Sequence, residues 1–127
     1  MTFPLKLQKA LWIVSFPAMA IAAYWLVFSA PLPFVASWWD VGAERGTTFK
    51  TRYRIADRLA TSGRLDDLNR QEVIALLGEP TNTDKWREHG LVYVLGPERS
   101  LIGLDYEWLL IDFDLSGMVS KVEVTSD

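Results

Sequence analysis

Apolar positions run almost unbroken from Ala10 to Phe28, then recur at helical spacing, and finally alternate with polar ones. These three regimes divide the chain. An α-helix needs roughly 20 apolar residues to cross a bilayer core. The first run reaches that length before Pro31 and Pro33 stop it. Trp12 lies near one end and Tyr24, Trp25, Trp38 and Trp39 near the other, as rings in two interfacial belts would. Pro17 should kink the helix, which membrane helices tolerate. The pattern predicts an N-terminal anchor segment over 1–36, with its helix at about 8–30. The competing reading is a cleaved signal peptide ending near Val35-Ala36-Ser37, although the apolar run is long for one.

Residues 37–46 read as a linker, centred on Asp40 to Gly46, and 47–127 as the folded domain. Thr47 or Thr48 is a candidate cap for a helix reaching Ser62. Phe49, Tyr53, Ala56, Leu59 and Ala60 form its apolar stripe. Gly63 suits its C-terminus, with Leu65 folding back. A second helix opens on Asn69 with Glu72 three residues later, a variant of the capping box. It buries Val73, Ile74, Leu76 and Leu77 and ends at Gly78 and Pro80.

Beyond Pro80 the period becomes two. Thr83 to Arg87 is a candidate short strand and Leu91 to Leu95 a clearer one, with turns at His89-Gly90 and Gly96-Pro97-Glu98-Arg99. The strongest signal is a hairpin of Tyr106–Leu115 and Met118–Thr125 around Ser116-Gly117. Pairing Leu115 with Met118 sets Phe113 opposite Ser120, Ile111 opposite Val122 and Leu109 opposite Val124 on one apolar face. The other face then pairs Asp112 with Lys121 and Leu110 with Glu123. A one-residue slip would mix the faces. The fold class is therefore α+β: a transmembrane helix followed by a small ααβββ domain, two helices covering the Leu109/Ile111/Phe113 face of an antiparallel sheet.

Composition adds exclusions. The chain has 127 residues and a formal charge of −3, too little to draw nucleic acid electrostatically. It has no cysteine, so disulfides, thiolate metal sites and a lipidated cysteine are excluded. Lys6 and Lys9 lie closest to the apolar run, favouring a cytoplasmic N-terminus and a body outside the cytoplasm.

The stretch Asn69-Arg70-Gln71-Glu72-Val73-Ile74-Ala75-Leu76-Leu77-Gly78-Glu79-Pro80 resembles the helix-to-strand signature of the SmpA/OmlA (BamE-like) domain family. Trp108-Leu109-Leu110-Ile111-Asp112-Phe113-Asp114-Leu115-Ser116-Gly117-Met118-Val119 resembles that family's final hairpin. The resemblance covers about residues 47–126. It implies an ααβββ module of the bacterial envelope, akin to lipoprotein subunits that brace a membrane-protein assembly machine. The chain departs from the family in lacking the lipidated cysteine and in carrying Asp67-Leu68-Asn69 where Gly-Met-Thr is frequent. An inner-membrane, single-pass relative with its C-terminal domain in the periplasm and a different envelope-protein partner is the implied reading.

Three candidate sites follow. Tyr106, Trp108 and Leu110, joined by Tyr93 or Trp86, would make an aromatic partner-binding face on the open side of the sheet. The alternative is that a loop, with Gly96 to Asp105 the candidate, folds over these rings. Lys50, Arg52, Arg54 and Arg58 would meet lipid headgroups at about 1 kcal/mol each, against the plainer reading of a solvated helix face paired in part with Asp57. The carboxylates Asp105, Glu107, Asp112 and Asp114 could be read as a metal or acid/base site, the Asp105/Asp112/Asp114 edge being the alternative for a small ligand-binding or enzymatic domain, with Lys121 the expected partner of Asp112. His89 stands alone in a turn, and no nucleophile, base and orienter can be assembled. No catalytic residue, metal or cofactor is expected; the implied role is non-catalytic binding or scaffolding.

Overall fold

The computed structural model describes the backbone of residues 5–28, 30–45, 50–100 and 102–127, and the side chains of 16–27, 30–40, 50–100 and 102–127. The chain divides into two compact units, Met1–Ala30 and Pro31–Asp127.

The first unit is one helix, α1 (Leu5–Phe28), with Pro17 inside it. A helix thus occupies the expected segment. Its described side chains run from Phe16 to Val27, and all are apolar and exposed. Among the described residues no helix is long and apolar enough to cross a membrane. Lys6, Lys9 and Trp12 have side chains outside the described residues.

The second unit is α+β: helices α2 (Ala36–Arg45), α3 (Thr51–Ser62) and α4 (Arg70–Leu77), then strands β1 (Leu91–Pro97), β2 (Tyr106–Phe113) and β3 (Val119–Ser126). The expected linker over 37–46 is mostly helix α2. Its Trp39 is almost fully buried and donates from Nε1 to the Leu77 carbonyl at 2.9 Å. A tryptophan serves a membrane interface or a protein core equally well, and here the core holds it.

Helix α3 begins later than the threonine caps suggested. Thr47, Thr48 and Phe49 lie outside the described residues, and Lys50 occupies the N-cap with a left-handed φ of 51° and no side-chain cap. The other helix ends follow the sequence. Gly63 ends α3 at φ 70°, and Leu65 is wholly buried beneath it. Asn69 Oδ1 accepts from the Glu72 amide at 2.9 Å while Glu72 Oε1 accepts from the Asn69 amide at 3.1 Å, a complete capping box. Gly78 ends α4, donating its amide to the Ile74 carbonyl at 2.8 Å.

The sheet is antiparallel in the order β1-β2-β3. The hairpin register is as expected at Leu109↔Val124, Leu110↔Glu123, Ile111↔Val122 and Asp112↔Lys121. It then shifts: Phe113 pairs with Val119 rather than Ser120, through a bulge that tightens the approach to the turn. Two expected features are absent among the described residues. Thr83–Arg87 is a turn, not a strand, and Gly96-Pro97 continues β1, past a second irregularity at Leu95.

The helices cover one face. Trp39, Tyr53, Ile55, Leu59, Leu65, Val73 and Leu77 meet Leu91, Tyr93, Leu95, Leu109, Ile111 and Val119, with Leu32 and Phe34 packed at the margin. Leu109 and Ile111 are buried here as expected, and Phe113 is partly so.

Candidate functional site

The opposite face of the sheet, read from the sequence as either an open partner-binding surface or one covered by a loop, is covered. The segment from Thr81 to His89 lies along it. The Thr81 amide donates to the Val92 carbonyl at 2.8 Å, and Thr81 Oγ1 accepts from the Val94 amide at 2.9 Å, which fastens the segment to the edge of β1. Trp86 then takes a left-handed φ of 59° and packs, with Val94, against buried Val92, Trp108 and Leu110. This is a second small core. Trp108 and Leu110 are therefore not a partner-binding surface, and the covering loop is 81–89 rather than Gly96 to Asp105.

Tyr93 is corrected in a different way. It pairs with Leu109, so it points into the main core, where its hydroxyl donates to the Gly78 carbonyl at 2.9 Å. Burial, reinforced by Glu79, pushes its phenol up to about 12. Of the four aromatic-face candidates only Tyr106 remains half exposed, at 49%. It borders a cleft of about 370 Å³ lined by Thr81, Asn82, Thr83, Lys85, Val94 and Trp108. Ile102 and Leu104, on the neighbouring loop, are 74% and 80% exposed. Among the described residues of the second unit, exposed apolar side chains thus lie at the β1–β2 loop, at Leu115 in the hairpin turn and at Trp38 rather than on the sheet face. The signal for this was present: Leu91-Val92-Tyr93-Val94-Leu95 is apolar at every position, the mark of a strand covered on both sides.

The basic residues do not share a surface. Lys50 and Arg58 are exposed, whereas Arg54 is buried at 3%. Arg52 lays its guanidinium 4.2 Å from the Trp39 ring centroid. Burial lowers the pKa of Arg52, with Asp40 pulling the other way. Arg52 is thus a packing residue on α2's tryptophan, and only Lys50 and Arg58 are left to face headgroups.

Nor do the three aspartates converge. Asp105 is exposed at the end of the β1–β2 loop, its carbonyl accepting from the Glu98 amide at 2.8 Å. Asp114 Oδ1 accepts from the Ser116 hydroxyl at 2.6 Å and the amides of Ser116 and Met118 at 2.9 and 3.0 Å. The Ser116 hydroxyl, followed by the Met118 amide, holds this carboxyl below its ordinary range, and the group shapes the hairpin turn. Asp112 has neither the contacts of Asp105 nor those of Asp114, and its expected partner Lys121 pairs instead with Glu123 at 3.4 Å.

Asp112 meets a residue the sequence left isolated. His89 Nδ1 lies 2.8 Å from Asp112 Oδ1. The 81–89 segment causes this: packing Trp86 onto Trp108 brings the end of the turn over the end of β2, where the Trp86 carbonyl accepts from the His89 amide at 2.9 Å. Glu123 on β3 completes a group of three whose ligand atoms all lie within 4.8 Å of one another. An open cavity of about 500 Å³ lies beside them, lined by Arg70, Glu88, His89, Gly90, Asp112 and Phe113. Sequence spacing offered no sign of this cluster, because His89 and Asp112 are 23 residues apart and meet only through the covering turn.

A further polar cluster fixes the β1–β2 loop. Arg99 reaches Asp57 through Nη1 and Nη2 at 2.7 and 3.0 Å and Glu107 through Nη2 at 2.9 Å, while its guanidinium lies over the Tyr53 ring. The hydrogen bond to Asp57 is the main cause that raises its pKa, and that to Glu107 adds to it against the cost of burial. Tyr53 in turn donates to the Pro97 carbonyl at 2.6 Å. The cluster is satisfied internally and reads as a clamp. No family model, curated protein or solved structure matches this chain.

Proposed function

We propose that the chain is a membrane-anchored, non-catalytic binding or scaffolding subunit of a bacterial envelope complex. In this reading it is single-pass in the inner membrane, with the Pro31–Asp127 unit in the periplasm. The observation that carries this is α1: every described side chain from Phe16 to Val27 is apolar and exposed. Full burial of a single Leu, Ile, Phe or Met is worth roughly 1.5–3 kcal/mol, so a helix of this kind demands cover by lipid or by another protein. The apolar sequence continues N-terminally to Ala10, which supports lipid. Lys6 and Lys9 support the stated orientation, and the resemblance to SmpA/OmlA domains supports a bracing role. Asp105, Asp112 and Asp114 have separate partners, which favours binding over an enzyme built on that edge.

On this reading the partner, a membrane or envelope protein, meets Ile102 and Leu104 of the β1–β2 loop and Tyr106 at the start of β2. The test is alkaline extraction of membranes combined with photo-crosslinkers placed at positions 102, 104 and 106. The expected result is retention in the pellet and one dominant crosslinked protein. Release into the alkaline wash would overturn the anchor; crosslinks no different from those at exposed Arg87 would overturn the surface.

A further inference from the structure

We propose that His89, Asp112 and Glu123 bind a divalent transition-metal ion of the Zn²⁺ class. The inference is independent of the anchoring role. The three side chains come from three separate elements, the 81–89 turn, β2 and β3, yet their ligand atoms fall within 4.8 Å of one another. Two of the elements are hydrogen-bonded neighbours in the sheet, with Glu123 opposite Leu110 and Asp112 two residues further along the same face. The carboxylates are thus set by backbone register rather than by mobile loops. The third, His89, is held by the packing of its neighbour Trp86 on the second core.

The distances suit ligands of a small ion. Zn²⁺ takes imidazole nitrogen and carboxylate oxygen at about 2.0–2.2 Å, so two ligands at angles between square and tetrahedral stand about 2.9–3.5 Å apart. His89 Nδ1 and Asp112 Oδ1 stand 2.8 Å apart in a hydrogen bond that an ion would replace, and Glu123, within 4.8 Å of both, would close in to complete the set. One imidazole with two carboxylates selects a borderline ion over Mg²⁺ or Ca²⁺, which favour oxygen ligands throughout. The second ring nitrogen, Nε2, has Glu88 Oε1 at 3.6 Å. That is beyond hydrogen-bond reach, so Glu88 adds negative charge beside the ring rather than a fixed orienting bond. The open cavity beside the cluster gives an ion and its waters a path in.

Charge on the facing groups is mixed. Asp112, Glu123 and Glu88 are acidic, while Arg70 lines the same cavity and Lys121 lies 3.4 Å from Glu123. Lys121 is largely exposed and can swing away, so the ion takes its place on Glu123. Removing that competitor should tighten binding.

The chain has one histidine and no cysteine. In untagged protein, any imidazole-dependent site must therefore include His89. The test is calorimetric titration of ZnCl₂ into the untagged full chain in detergent, with Cu²⁺ quenching of tryptophan fluorescence as a second readout. The Trp86 and His89 ring centroids are 6.1 Å apart, so a bound Cu²⁺ would quench Trp86. Saturable binding of one ion is expected, weakened about tenfold or more by His89→Ala and by Glu123→Gln. Asp105→Asn should leave it unchanged and Lys121→Gln should strengthen it. Glu123→Gln alters a partly exposed strand position and keeps the test decisive if His89→Ala loses its fold by circular dichroism. The proposal is overturned by no saturable Zn²⁺ binding, by binding that survives both substitutions, or by Mg²⁺ binding as tightly as Zn²⁺.

Discussion

Tyr93 shows how one side chain links strand register to pH response. Its hydroxyl is bonded to Gly78 in the core, and burial raises its phenol from 10.0 to about 12. A raised folded-state value means that the native state favours the protonated phenol. The associated stability is fully present below the unfolded value and is lost as pH rises toward about 12. Tyr93→Phe should therefore cost about 1 kcal/mol at neutral pH, from the lost hydrogen bond, yet flatten the decline in stability at alkaline pH. Tyr53 will keep part of that slope, because burial and then Glu107 raise its phenol too. Urea unfolding at about pH 8 and about pH 11 checks this; equal slopes in wild type and variant would contradict it. The residue's place was not legible in advance. Alternation assigns Tyr93 to a face only once the β1–β2 pairing is known, and a strand apolar at every position gives no parity of its own. His89 was illegible for a related reason: only the packing of Trp86 carries it to Asp112.

Elements were legible where local chemistry determined them. The capping box at Asn69 and Glu72, the terminators Gly63 and Gly78, and the Leu109/Val124 and Ile111/Val122 pairs all depend on neighbours in sequence or across one tight hairpin. Helix α2 was missed because Trp38 and Trp39 follow an apolar run and suit an interfacial belt as well as a core. The structure makes Trp39 a joint between elements: it donates to Leu77 on α4, meets Tyr93 on β1 edge-on at 6.2 Å, and carries Arg52 of α3 on its ring. Trp39→Ala should cost about 3–5 kcal/mol, and Trp39→Phe about 1 kcal/mol from the Leu77 bond with further loss from packing, read as shifts in the urea midpoint. The Arg99 clamp joins elements in the same manner, tying the β1–β2 loop to α3 and β2. Glu107→Gln removes the charge from one of the two carboxylates that hold Arg99 and should cost about 1–2 kcal/mol. In a double-mutant cycle Glu107→Gln and Asp57→Asn should be non-additive, since both act on one guanidinium. Additive losses would show that the two bonds work independently.

At the scale of the whole molecule, the boundary between α1 and the Pro31–Asp127 unit separates the two tasks proposed for the chain. The sequence pattern set the folded domain at 47–127, because charged residues become frequent only after Asp40. The core begins earlier: Leu32 and Phe34 pack at its margin and Trp39 lies within it, whereas none of the described α1 residues belongs to either buried cluster. A chain starting at Pro31 therefore keeps both buried clusters, and one starting at Thr47 loses three apolar members of the larger one. The 31–127 fragment should be soluble without detergent and unfold at the same urea midpoint as the body of the full chain. The 47–127 fragment should be weaker by at least the ~3–5 kcal/mol of the missing tryptophan, enough to unfold a small domain of ordinary stability. Membrane fractionation of the same series separates anchoring from folding: the full chain should resist alkaline extraction while 31–127 stays in the supernatant. If 31–127 also pelleted with membranes, the apolar β1–β2 loop, with Ile102 and Leu104, would be the next segment to examine as the membrane contact, and α1 would lose its role as the sole anchor.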